Sequence, residues 1–406
     1  MTSEERREAR YQRRSRLRQE RRLARSRACG DFEDVFSYTN LFRSTHICCK
    51  TVAWKCSTQR YRMDVVGNTA KAREQLLAGT YKSKGFIEFQ LYDRGKWRRI
   101  RSVHISERVI QRNLCDKVVT PLFQPAFIYD NAASVKGKGI DFAMDRLNCH
   151  LQRHFRKHGL KGGILVFDFT DYFGRAQHDT VKAELTRRVH DPRTRALANT
   201  FLDNFGPIGY GLGSQISQNA ALMLPNLLDH VIKQELGIEG YARYMDDGYL
   251  IHEDIHYLEH CLERIKEVCA SLGVTLNMRK TKIKPITAGI VFLKTKFILT
   301  STGKVLRKMS RAGVRAMKRK LRKFKRWLDE DRFTLEDVRA AYESWRGHMR
   351  RGNSYKALCR VDAFFKHLFG FHPDDKSKWR ATTYVSDQQE RDYTRLDRAS
   401  DLYQAA

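Results

Sequence analysis

Three aspartates have the type and spacing to do chemistry together. Asp246 and Asp247 are adjacent in YARYMDDGYL (241–250), a stretch that is otherwise mostly apolar and aromatic, and Asp168 falls near the end of GGILVFDF (162–169). Taken alone, Asp-Asp-Gly reads equally well as a plain hairpin turn, because Asp-Gly is a frequent turn signal. Asp168 shifts the balance: if its strand lies beside the 241–250 hairpin, three carboxylates meet at one edge of a sheet. Unneutralised, they repel and their pKa values rise. Divalent metal ions would resolve that conflict. Hard oxygen ligands suit Mg²⁺, with Mn²⁺ as the alternative, and Mg²⁺ takes one or two carboxylates and fills its shell with water and substrate phosphates. Two such ions about 4 Å apart stabilise the attacking and leaving oxygens of an in-line phosphoryl transfer.

Hydrophobic periodicity shows the elements that must position these groups. GGILVFDF is a short apolar run with the pattern of a buried strand. Residues 216–237 read as a helix interrupted near Pro225, and 241–253 as strand, turn, strand. IHYLEHCLERIKEVCASLG (255–273) is an amphipathic helix stopped by Gly273. VTLNMRKTKIKPI and GIVFLKTKFILT (289–300) read as strands. This order predicts one antiparallel sheet with helices on one face, a ferredoxin-like α+β layer. Upstream, 84–105 predicts a hairpin turning at Asp93-Arg94-Gly95-Lys96. Residues 106–123 predict a helix with the stripe Val109, Ile110, Leu114, Val118 and Leu122. Downstream, Val305–Leu328 contains eleven Lys or Arg and no acid, with apolar residues every three or four positions. It reads as one helix whose basic face is either a solvated surface or one that tracks a phosphate backbone. A last helical piece covers 343–370, and a polar tail follows from Pro373.

Lys plus Arg outnumber Asp plus Glu by 77 to 46, a net charge of +31 that calls for a polyanionic partner, nucleic acid first and an anionic membrane surface second. No apolar run reaches the roughly 18 residues of a membrane span, and the N-terminus lacks the apolar core of a secretory signal. Together these predict a cytoplasmic protein. Residues 1–28 hold eleven arginines and four glutamates. They read as a solvated, partly helical tail, as an arm for phosphates or an acidic partner, or as both, since such an arm is disordered until it binds. His46, Cys48, Cys49 and Cys56 cluster, but their spacing matches a zinc site poorly, so buried or free thiols are the default reading.

The motifs taken together resemble those of a reverse transcriptase. FDFTDYF (167–173) resembles the first palm motif and YMDD (244–247) the signature box. GLGSQISQNAALMLPNLLDHVIK (211–233) resembles the motif between them, and LNMRKTKI (276–283) and VFLKTKF (291–297) the two that follow. GKWRRIRSVHISERVIQRNLCDKVVTPLF (95–123) is similar to the fingers of bacterial enzymes, and SWRGHMRRGNSY (344–355) to their thumb. The resemblance implies a right-hand polymerase. It would have a basic arm at 1–30, fingers at 31–160, a palm at 161–300, a helical basic thumb at 301–372 and a polar tail at 373–406.

It also implies roles. Asp168 and Asp246 would hold metals, with Asp247 assisting. Lys96, Arg98 and Arg99 would grip the incoming triphosphate, although the charges of at least one are expected to be plain hairpin charges. Phe173 would be the steric gate against a ribose 2′-OH, or else ordinary core. Gln218 would lie under the templating base, and Gly211 and Gly213 would let backbone approach substrate, or form only a Gly-rich loop before a helix. Lys280 would protonate the leaving pyrophosphate or be merely structural, and Asp171 is a turn residue. Arg315, Lys318, Arg322 and Lys325 would bind nucleic acid.

GSQISQ with NLLDH, and YKSKGFIEFQLYDRGKWRRI, resemble diversity-generating-retroelement enzymes and the defence-associated bacterial and phage enzymes. The expected activity is RNA-directed DNA synthesis from dNTPs on an RNA template, giving nascent DNA. A dedicated structured non-coding RNA and an accessory protein are the expected partners, and no membrane is. Template-independent or protein-primed synthesis by the same palm, or a non-catalytic RNA-binding scaffold, are the alternatives.

Overall fold

A computed structural model describes residues 2–50, 52–93 and 96–379. The chain opens with helix α1 (Ser3–Arg27), started by a capping box in which Thr2 and Glu5 each accept from the other's backbone N–H. The arm is therefore a continuous helix, which goes beyond the expected partly helical tail and departs from the expected disordered arm. Its last turn docks on the body, where the buried Ser26 hydroxyl accepts from the His190 N–H at 2.8 Å.

Strands β1 (Phe86–Asp93) and β2 (Lys96–Val103) form the expected antiparallel hairpin. Arg94 and Gly95 of its turn, and the Lys96 side chain, lie outside the described residues. Helix α2 (Ile105–Leu114) runs on through a π-helical turn, Cys115–Val119, into Thr120–Phe123. All five residues of its predicted stripe are buried. Helix α3 (Ile140–His158) leads into β3 (Gly163–Phe167). Helices α4 (Asp179–Arg188) and α5 (Gln215–Met223) lie between β3 and the hairpin of β4 (Gly240–Tyr244) and β5 (Asp247–His252). Helix α6 (Ile255–Ser271) then leads to β6 (Lys282–Pro285).

The four strands β3 to β6 form one antiparallel sheet in the order β4-β5-β3-β6, which is the ferredoxin-like arrangement. Both of its faces are covered. Leu165, Phe167, Tyr241 and Leu250 join one core with Ile216, Ala220 and Leu258. Ile164, Ala242, Tyr249 and Ile251 join another with Met144, Leu147 and Leu151 of α3. The expectation of cover on one face is corrected, and burial on both sides explains why the central strands β3 and β5 are apolar almost throughout.

Two further expectations are also corrected. Residues 289–300 do not extend this sheet. β7 (Ile290–Phe292) and β8 (Thr295–Leu299) form a separate three-stranded sheet with β9 (Val305–Met309). The predicted helix at 305–328 is thus a strand followed by helix α7 (Arg311–Asp329), whose N-cap Ser310 accepts from the Gly313 N–H. Helices α8 (Leu335–Arg350) and α9 (Tyr355–Phe369) pack on α7 around Leu321, Phe324, Val338, Tyr342, Val361 and Phe365. Trp379 belongs to this core and its indole N–H donates to the Pro373 carbonyl at 2.9 Å. The first residues of the expected tail are therefore packed, and 380–406 lie outside the described residues. Among the described residues no helix is long and apolar enough to cross a membrane.

Candidate active site

Asp168 is the first residue beyond β3 and is buried. Its carbonyl accepts from the Asn277 N–H at 2.8 Å, and its Oδ2 lies 2.5 Å from Lys280 Nζ. The Asn-x-x-Lys turn, closed by the Lys280 N–H donating to the Asn277 carbonyl at 3.0 Å, therefore folds over the aspartate that ends the strand.

The β4–β5 hairpin does not turn at Asp-Gly. Its two loop residues are Met245 and Asp246, because Tyr244 already pairs with Asp247. Met245 takes the left-handed conformation at φ 55°. Gly248 lies inside β5 opposite Phe167, where an added Cβ would come 2.3 Å from Phe167 Cζ. The glycine is needed for this close approach. One step beyond the Phe167–Gly248 pair, the antiparallel register brings Asp168 opposite Asp247, and Asp246 follows at the turn.

The electrostatics match that crowding. Burial and then the charge of Asp168 raise the Asp246 pKa, partly offset by Lys280 and Arg98. Asp247 is pushed up to about 7 by burial and then by the charges of Asp246 and Asp168. Partial burial opposes the charged Lys280, but its hydrogen bond and charge contact with Asp168, and the charges of Asp247 and Asp246, outweigh it and raise its pKa. Among the described residues no three His, Cys, Asp or Glu side chains converge as a ready-made metal cage, neither these aspartates nor His46, Cys48, Cys49 and Cys56. The cysteines of that cluster are free. Cys48 donates to the Arg108 carbonyl, and burial pushes its thiol up to about 11. The aspartates still fit a divalent cation. Their donors are all hard oxygens, their excess negative charge is only partly met by Lys280 and Arg98, and Mg²⁺ needs only one or two carboxylates when phosphates complete its shell.

The other candidates divide. Arg98 is near enough for its charge to act on Asp246. Arg99 is on the opposite face of β2 and pairs with Glu88 at 2.5 Å, as expected for one of the hairpin cations. Phe173 is half-buried in the short helix Tyr172–Arg175, edge-on to Tyr172 at 5.8 Å between ring centroids. Asp171 precedes it in a left-handed turn, as predicted. Gln218 is exposed on α5 and donates to Ser134 Oγ at 2.8 Å. The 211–213 loop sits against the hairpin, with the Leu212 carbonyl accepting from the Arg101 N–H at 3.0 Å. An added Cβ on Gly211 would come 2.1 Å from the Phe205 ring, so glycine is needed there for close packing within the protein. Arg315, Lys318, Arg322 and Lys325 fall on one side of α7. Lys318 and Arg322 lie over the Phe364 ring and Lys325 pairs with Asp329.

Two residues central to this geometry escaped sequence reasoning. Arg243 is fully buried and grips the buried Asp229 through Nε at 2.8 Å and Nη2 at 2.6 Å. Tyr241 donates to the same carboxylate at 2.6 Å. The visible signal was an arginine at the centre of an otherwise apolar strand, YARYM. Glu107 is also fully buried. It accepts from Ser83, the Lys84 N–H, Gln111 and Asn204, tying the base of the hairpin to α2 and to the residues after α4.

A ferredoxin-like sheet carrying its carboxylates at one end, preceded by a basic hairpin and followed by a basic helical bundle, is the plan of a right-hand nucleic-acid polymerase. Residues 82–297, more than half of the chain, match the family described as reverse transcriptase (RNA-dependent DNA polymerase), and the chain belongs to that family. Among solved structures it is similar to apo telomerase from Candida tropicalis truncated from its C-terminal domain. That match has 12% identity and a TM-score of 0.42, covering 55% of this chain and 54% of that one. It is also similar to telomerase from Candida albicans in complex with a TWJ fragment of telomeric RNA. There the identity is 14% and the TM-score 0.44, covering 79% of this chain and 59% of that one. The chain thus spans less than two thirds of either structure. No curated protein matches it.

Proposed function

We propose that this protein is an RNA-directed DNA polymerase that extends a 3′-OH on an RNA template with dNTPs. The observation that carries this reading is the register that sets Asp168 opposite Asp247 with Asp246 at the adjoining turn. In this reading Asp168 and Asp246 hold the metal ions, with Asp247 assisting. Bound Mg²⁺ or Mn²⁺ supplies Lewis acidity at the attacking and leaving oxygens of nucleotidyl transfer. Arg98 orients the triphosphate, joined by Lys96 two residues away on the same strand, while Arg99 stays with Glu88 on the other face. Lys280 gives a proton to the leaving pyrophosphate. Phe173 excludes the 2′-OH, Gln218 supports the templating base, and Arg315, Lys318, Arg322 and Lys325 track the duplex backbone.

We assign 31–160 to fingers, 161–300 to palm and 301 onward to a thumb that extends through Trp379. The biological setting we propose is a cytoplasmic retroelement or antiviral defence system. In it a dedicated structured non-coding RNA serves as template and an accessory protein as partner. The test is dNTP incorporation on primed RNA by Asp246→Ala/Asp247→Ala. Synthesis should fall by about 10³-fold or more, the scale on which charge-stabilising groups act in phosphoryl transfer, and wild-type product should copy the RNA supplied. Wild-type-level synthesis by the double variant would sink the reading.

A further inference from the structure

We propose that α1 is a docking rod for the phosphate backbone of duplex RNA, distinct from the polymerase site. At 100° per residue, Arg7, Arg10, Arg14, Arg18, Arg21 and Arg25 fall within an arc of about 80°, in steps of three and four residues. They form one stripe about 27 Å long at 1.5 Å per residue. All six are exposed, and among the described residues no ion pair engages any of them. The acids lie elsewhere. Glu4 and Glu5 are in the first turn, where the helix dipole favours them. Glu8 accepts from Gln12, and Glu20 pairs with Arg16 away from the stripe.

The rest of the helix explains why the stripe is available. Docking is confined to the C-terminal end, through Ser26 and through Arg22. Burial and then the charges of Arg187 and Arg188 lower the Arg22 pKa. Ser26 is rotated by about 80° or more from every stripe residue, and Arg22 borders the stripe one turn beyond Arg18. Tyr11 and Leu17 are the only large apolar residues in the exposed part, at 58% and 43% exposure. A helix that binds a membrane surface or a protein groove needs an apolar face, and α1 has none. What it offers is a row of guanidinium groups, the side chain whose fork matches phosphate oxygens. Five like-charge neighbours at i,i+3 or i,i+4 also oppose the helix when nothing neutralises them. A polyanion would bind the stripe and stabilise the helix at once. A-form duplex suits it because phosphates line an accessible surface that is recognised by shape, without base readout.

The test uses the full chain and a fully paired RNA hairpin, titrated across a range of salt concentrations. One variant replaces all six stripe arginines by Gln, which keeps helix propensity. A second carries Arg16→Gln and Arg27→Gln, off the stripe. Neutralising six phosphate contacts should flatten the slope of log affinity against log salt by about 5. The off-stripe pair should leave it nearly unchanged. Primer extension on a short primer–template should be unaffected in both. An unchanged slope in the six-Gln variant, or an equal loss per residue off the stripe, overturns the proposal. So does loss of primer extension in parallel with hairpin binding, or stripe-dependent binding to phosphatidylserine vesicles in place of RNA. None of these outcomes bears on whether the three aspartates polymerise DNA.

Discussion

Arg243 donates from Nη1 to the carbonyl of Met245, two residues ahead of it, at 2.9 Å. The bond joins the buried Arg243–Asp229 pair to the turn that carries Asp246. Met245 holds a positive φ that disfavours a side chain by roughly 1–3 kcal/mol, so something must hold it there. Arg243→Met should cost about 3–5 kcal/mol, because it leaves the Asp229 charge buried with only the Tyr241 hydroxyl as partner. Arg243→Met/Asp229→Leu should recover part of that stability, less about 1–3 kcal/mol for the buried Tyr241 hydroxyl it leaves without an acceptor. It should still turn over about 10² times more slowly, with KM little changed, because the turn is no longer pinned and small misplacements are expensive. Thermal melts and steady-state kinetics on the pair separate positioning from folding. A double variant with wild-type kcat would remove Arg243 from this role.

Lys280 holds Asp168 at 2.5 Å, so any cation that takes that carboxylate must compete with an ammonium. Lys280→Met should therefore lower the Mg²⁺ concentration needed for half-maximal activity. It should also lower kcat, by about 10²-fold or more if the lysine supplies the proton to pyrophosphate. The two effects move in opposite directions on a Mg²⁺ titration. A kcat loss with unchanged Mg²⁺ dependence would show that the ion pair does not compete with the metal.

The parts of the fold that local pattern decides were legible. Strand β3, the 84–105 hairpin and α6 follow from alternation, turn residues and amphipathic spacing. What was hidden depends on long-range pairing. Leu306 and Met309 sit three apart and satisfy a helical template, but β8 recruits them into a strand, and Ser310 was the overlooked helix start. The hairpin turn was misplaced because Asp-Gly is a good local turn signal, whereas the pairing of Gly248 with Phe167 and Arg243 draws it into the sheet. The aspartates at the site were readable because their chemistry demands a shared place. Arg243 was not, because its partner Asp229 lies fourteen residues away on a different element.

The raised pKa of Asp247 makes metal-free stability depend on pH. An unfolded aspartate titrates near 3.9, and the folded one at about 7. Between these values the folded state holds more of the proton, so stability falls as pH rises from about 4 to about 7. Asp247→Asn should remove this contribution. The difference between wild-type and variant melts in EDTA isolates it from other groups, including His150 and His154, which burial holds at lowered pKa. Mg²⁺ should raise the wild-type melting temperature most near and above pH 7, where the carboxylate is free of its proton. A pH-independent difference between the two proteins would show that Asp247 titrates normally.

Phe173 follows Asp168 by five residues, and its backbone is fixed where its carbonyl accepts from the Tyr210 N–H at 2.6 Å. Its ring is half-buried, so truncation should cost less than the roughly 3–5 kcal/mol of a fully buried phenylalanine. If the ring screens the sugar, Phe173→Ala should raise the kcat/KM for ribonucleotides relative to deoxynucleotides by about 10- to 100-fold, the scale of discrimination on one small group. Phe173→Tyr keeps the bulk and should keep the discrimination, whereas a packing role would show both variants losing stability with the ratio unchanged. The ratio is the deciding measurement, because misfolding lowers both rates together and only a gate changes one against the other.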